Sequence, residues 1–80
     1  MQAENILLNR ITINPKVMVG KPVVRGMRIT VEQVLKSLAA GISFDELQQD
    51  YPFLEQEDIA ACLLYASNLV GEETVHSIAI

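Results

Sequence analysis

The sequence predicts a small α+β domain, mostly helical: a three-helix bundle of the helix-turn-helix kind preceded by a short β-hairpin layer where a wing would sit. Three observations carry this reading. Short β-branched runs punctuated by Gly20, Pro22 and Gly26 fill the first third of the chain. Two Ser/Thr-x-x-Glu/Gln signatures, Thr30 with Gln33 and Ser43 with Glu46, then open stretches of helical periodicity. A longer apolar stripe follows Tyr51-Pro52. The chain of 80 residues is one domain in this reading, with an N-terminal segment at 1–9, the β layer at 10–29, the bundle at 30–71 and a tail at 72–80.

Residues 1–9 hold one apolar patch, Ile6-Leu7-Leu8, that either docks on the body or frays. Arg10-Ile11-Thr12-Ile13 alternates polar and apolar side chains and is β-branched, so it is a strand, and Asn14-Pro15 ends it with turn chemistry. The run from Gly20 to Ile29 reads as a hairpin with Gly26-Met27 at the centre of a type II′ turn, because Gly accepts the positive φ of the first central position. Pro22 donates no ladder hydrogen bond and belongs at a strand start or on an edge. Arg25 and Arg28 flank the turn and Lys21 lies nearby, which makes the hairpin a basic arm.

Thr30 caps a helix over 31–40 in which Val31, Val34, Leu35, Leu38 and Ala39 share a face, and Gly41 supplies the left-handed stop. Ser43 caps a second helix over 44–50, with Ile42 placed to staple onto Leu47. It ends at Tyr51, since a residue before proline is pushed out of the α region. A third helix spans 56–70, with Ile59, Cys62, Leu63, Ala66, Leu69 and Val70 as its stripe and Gly71 as its stop. Leu54 and Ile59 can staple across Glu55, although Glu is not a preferred N-cap, and Glu57 and Asp58 suit the dipole of the first turn. The tail alternates and can form an edge strand on the β layer of its own chain or of a dimer mate.

Half the residues are apolar and a fifth charged, a composition that folds. A chain this small buries only about two-thirds of its extended surface, so a homodimer is expected. The lone Cys62 points to a reducing cytoplasm. The first residues lack the basic and apolar regions of a signal peptide, and the longest apolar run, 59–66, is too short to span a bilayer, so no membrane partner is expected.

Net charge is −4 but unevenly spread. Residues 1–40 hold all six Lys and Arg against two Glu, a balance of +4, whereas residues 41–80 hold eight Asp and Glu and no Lys or Arg, a balance of −8. The basic half suits phosphates and the acidic half a basic protein. Alternatively, the halves neutralise each other within the fold or across a dimer.

Enzyme chemistry is not expected. A hydrolase needs a nucleophile with a base, a metal cluster or paired carboxylates in a pocket, and the chain offers one His, in the tail, and one Cys, on an apolar stripe. Of Asp45, Glu46, Asp50, Glu55, Glu57 and Asp58, the acidic residues that could gather a Mg²⁺, four sit in first turns of helices, where capping and dipole already explain them. No catalytic residue, metal, cofactor or small-molecule substrate is assigned. For nucleic acid, the third helix begins Glu55-Gln56-Glu57-Asp58, which phosphates would repel, so Lys21, Arg25 and Arg28 of the arm are the candidates, with Arg10 and Lys36 in the same half. The competing reading is that these cations are hairpin charges paired to the acidic helices.

Arg10-Ile11-Thr12, the run Gly20-Lys21-Pro22-Val23-Val24-Arg25-Gly26-Met27-Arg28-Ile29, and the spacing to Ala40-Gly41-Ile42-Ser43, Tyr51-Pro52, Leu54 and Glu57-Asp58-Ile59-Ala60-Ala61 resemble the bacterial family called domain of unknown function 433. The resemblance covers about residues 9–70. It implies a homeodomain-like or winged three-helix fold and an antitoxin of the VapB-like kind, encoded beside a PIN-like ribonuclease toxin. Met27 and Glu55 depart from the Thr or Ser common in the family, so neither takes a hydroxyl-dependent role. A ribonuclease must attract a polyanion and so has a basic rim, which the acidic half would occlude through Asp50, Glu57 and Asp58, leaving the basic arm for operator DNA. The alternative is a protein-interaction module or transcriptional regulator with no toxin partner.

Overall fold

A computed structural model describes residues 2–72. In chain order the elements are α1 (Gln2–Leu8), β1 (Ile11–Thr12), β2 (Val23–Val24), α2 (Val31–Ala39), α3 (Phe44–Asp50) and α4 (Gln56–Glu72), a mostly helical α+β arrangement as the sequence predicts. The tail strand expected at 73–80, and His76 with it, lie outside the described residues.

The three expected helices form for the expected local reasons. Thr30 Oγ1 accepts from the Gln33 amide at 3.0 Å while Gln33 Oε1 accepts from the Thr30 amide at 2.9 Å. Ser43 and Glu46 repeat this reciprocal cap at 3.2 and 3.1 Å. Each cap satisfies two amides that the first turn leaves without helical partners. Gly41, at φ +84°, ends α2 in a Schellman arrangement, its amide donating to Leu38 and that of Ile42 donating to Ser37. Gly71 does not stop α4, which continues to Glu72, since a single glycine weakens a helix without forbidding it.

The N-terminal segment differs from expectation. Residues 2–8 form α1, which packs along α4. The β layer is smaller than 10–29: β1 pairs antiparallel with β2, Ile11 opposite Val24 and Thr12 opposite Val23, and Val23 bridges to Thr30 on the other side. Between the strands the chain makes a left-handed turn in which Met18, Val19 and Gly20 all have positive φ.

The hairpin turn lies one residue earlier than the Gly26-Met27 centre read from the sequence. The Met27 amide donates to the Val24 carbonyl at 2.7 Å, so the central residues are Arg25 and Gly26. Both have positive φ, +43° and +72°, the sign that a type I′ turn requires and a type II′ turn does not at its second position. The core lies beneath this turn: Val24, Ile29, Val31, Val34, Leu47, Leu54 and Cys62 form one buried cluster joining β2, α2, α3 and α4.

Candidate functional site

Arg25 occupies a left-handed conformation that costs a non-glycine residue of order 1 kcal/mol or more. Its side chain explains why it stays there. Arg25 Nε donates to Asp58 Oδ1 at 2.9 Å and Nη2 to Asp58 Oδ2 at 2.7 Å, a two-pronged grip, and Nη2 also donates to the Phe53 carbonyl at 2.7 Å. Arg10, at the entry to β1, adds a second cation: its Nη1 lies 3.0 Å from Asp58 Oδ1 and 2.7 Å from Glu55 Oε1. Finally the Glu55 amide donates to Asp58 Oδ2 at 2.8 Å, so Asp58 caps the start of α4 from its third helical position. The carboxylate thus accepts four hydrogen bonds, about the capacity of its lone pairs.

Asp58 is 0% exposed. Burial by itself pushes its carboxyl pKa up, but the hydrogen bonds from Arg25, the Glu55 amide and Arg10 outweigh this and hold it below its ordinary value. Its own burial, with the charge of Asp58 nearby, raises the Cys62 thiol to about 11, so Cys62 is an inert core residue.

This geometry redistributes the residues picked from sequence. Asp58 offers no surface to a partner: it is corrected from a contact residue to the anchor of the arm. Arg25 is held by that anchor. Lys21 Nζ lies 3.1 Å from Glu32 Oε1, and Lys36 Nζ lies 3.2 Å from Glu32 Oε2, which places Glu32 between two lysines and lowers its pKa. Of the six Lys and Arg, four are therefore ion-paired, and Arg28 and Lys16 are the exposed cations without an acid within reach among the described residues. Among the described residues only Arg10 and Arg25 pair across the two halves, with Glu55 and Asp58, because Glu32, the partner of Lys21 and Lys36, belongs to the basic half itself.

Asp50 and Glu57 are exposed and make no ion pair among the described residues. Between them in sequence stands Phe53, 80% exposed. Tyr51 and Leu54 turn inward, Leu54 fully buried, and Arg25 holds the Phe53 carbonyl, so the turn between α3 and α4 leaves an aromatic ring exposed, with exposed carboxylates three residues before it and four after it in sequence. Sequence reading passed over Phe53. Its signal was an aromatic residue after a proline in a corner already bounded by two inward-facing apolar residues. A second feature lies along α2 and α4: a groove of about 340 Å³ lined by the apolar Pro22, Leu35, Tyr65 and Leu69 and by the charged Lys21, Glu32 and Lys36.

The stretch that carries these features is a recognised unit. A family model described as protein of unknown function, DUF433, matches residues 11–66. The chain belongs to the DUF433 family. The DUF433 match contains Arg25 and Asp58, while Arg10 falls just before it. The uncharacterised protein y4eO of Sinorhizobium fredii (strain NBRC 101917 / NGR234) is 39% identical over 56 residues, covering 70% of this chain and 25% of that protein. The chain thus spans about a quarter of that relative's length. No solved structure matches this DUF433 chain. Among the described residues no three His, Cys, Asp or Glu side chains converge as a metal site requires, and no helix is long and apolar enough to cross a membrane.

Proposed function

We propose that this DUF433 domain is a non-enzymatic, antitoxin-type interaction module that neutralises a co-encoded ribonuclease toxin of the PIN-like kind by docking its α3–α4 corner on the toxin's basic rim. The observation that supports this best is the corner itself, an exposed aromatic ring with the exposed carboxylates of Asp50 and Glu57 within four residues of it in sequence. An exposed aromatic residue on a rigid turn buries large apolar area at low entropic cost, and flanking charges steer its approach to an oppositely charged rim. Operator DNA enters this reading through Arg28 and Lys16, which make no ion pair among the described residues; Arg25 is committed to the buried Asp58, whereas Lys21, paired to Glu32, keeps 57% of its side chain exposed at the surface.

The test is association with the co-encoded toxin. Reversing Asp50 and Glu57 to Lys is expected to slow association by about tenfold or more at low salt, with a smaller effect at high salt, and to restore growth arrest on co-expression. Both positions are exposed, so the variant should keep the wild-type circular dichroism, and moving a positive charge into the first turn of α4 at position 57 should cost no more than about 1 kcal/mol of stability. Equal protection by wild type and variant would refute the corner as the neutralising surface.

A further inference from the structure

The groove along α2 and α4 complements the corner in apolar character and in charge. Its lining is mostly apolar and includes Lys21 and Lys36, the latter with 77% of its side chain exposed. Glu32 between them balances one of the two charges, so the charged part of the lining is positive overall. The corner offers the reverse, an exposed apolar ring with the exposed carboxylates of Asp50 and Glu57 within four residues of it in sequence. The two cannot meet within one molecule. Glu57 and Tyr65 lie on the same helix, eight residues apart, which is about 12 Å of α4. A protruding apolar side chain complementary to a groove elsewhere on the same molecule joins copies head to tail, or reciprocally when the rotation closes.

We infer that the groove between α2 and α4 receives the Phe53 corner of a second copy of this chain, with Asp50 and Glu57 facing Lys36 and Lys21 across the contact. This rests on the reading of the corner as a docking element and names a partner for it other than a toxin. Self-association then competes with toxin capture, because both use Phe53. It also differs from a dimer built on the β layer or tail.

Sedimentation of the 80-residue chain alone, across a dilution series into the high micromolar range, reads the self-contact without any toxin present. The expected result is a mass above one chain at high concentration, falling on dilution. Two charge-reversed proteins, Lys21→Glu with Lys36→Glu and Asp50→Lys with Glu57→Lys, should each associate at least about tenfold more weakly, since like charges then face each other. Mixed in equal amounts they should regain association, because every contact between the two species again pairs opposite charges. Phe53→Ser should weaken association in every mixture. A single-chain mass at all concentrations would overturn the inference, and so would unchanged association of either charge-reversed protein alone. A chain that stays monomeric yet binds toxin through Asp50 and Glu57 would overturn the self-contact and leave the proposed function standing. A chain that self-associates as expected but does not bind a toxin would do the opposite.

Discussion

Replacing Asp58 with Asn is expected to lower the melting temperature by about 10–20 °C at neutral pH, the shift that corresponds to about 2–3 kcal/mol in a domain of this size. The substitution keeps the shape of the side chain but removes its charge and turns one acceptor into a donor that faces arginine. Breaking a fully buried pair costs about 3–5 kcal/mol; the smaller figure here reflects Arg10 and Arg25, whose side chains remain a quarter to a third exposed and regain water. The effect has a defined pH dependence. Because the folded-state pKa of Asp58 lies below its ordinary value, its contribution to stability is complete above about pH 4–5 and is lost as the pH falls through the folded value. Melting curves of wild type and Asp58→Asn should therefore converge in acid. A constant gap from pH 7 down to pH 2 would show that the loss is one of packing.

Gly26→Val should be the next most damaging change, destabilising by about 1–3 kcal/mol. No atom lies within 4 Å of the Cβ that a side chain would add at Gly26, so the penalty is one of backbone conformation alone, set by φ +72°. A graded series follows from this. Val should cost most, Ala less, and Asn least, since Asn tolerates the left-handed region. The Gly26 amide also donates to Thr12 Oγ1, and all three replacements keep that bond, so the series isolates the torsion. Equal stability of the Val and Asn variants by denaturant unfolding would show that the turn does not require this conformation.

What the sequence revealed was local, and what it concealed was set at a distance. The caps at Thr30 and Ser43 depend on a partner three residues away, and Gly41 on its own φ, so all were legible. The turn at Arg25-Gly26 was displaced by one residue because the choice of register depends on a grip 33 residues along the chain, at Asp58. Asp58 itself carried two local readings, a dipole partner and a surface charge. The arginines that bury it arrive from residues 33 and 48 positions earlier. The helix α1 was missed because seven residues without a capping signature give no period to read; packing on α4 stabilises it instead. The stripe of α4 was also only half informative. Cys62 is buried, whereas Leu63, Leu69 and Val70 are exposed, and periodicity marks a face without saying what covers it.

Arg25 is thus a structural residue of the arm, kept in a strained backbone by its bond to a buried carboxylate, while Asp50 and Glu57 of the α3–α4 corner are exposed and make no ion pair among the described residues. A double-mutant cycle between Arg25→Met and Asp58→Asn, read by denaturant unfolding at neutral pH, tests this most directly. If the two side chains hold the arm together, the double variant should be more stable than the sum of the single losses allows, by about 1 kcal/mol or more. Losses that add to within about 0.5 kcal/mol would show that Arg25 and Asp58 act independently, and the arm's cations would return to the surface available for a partner.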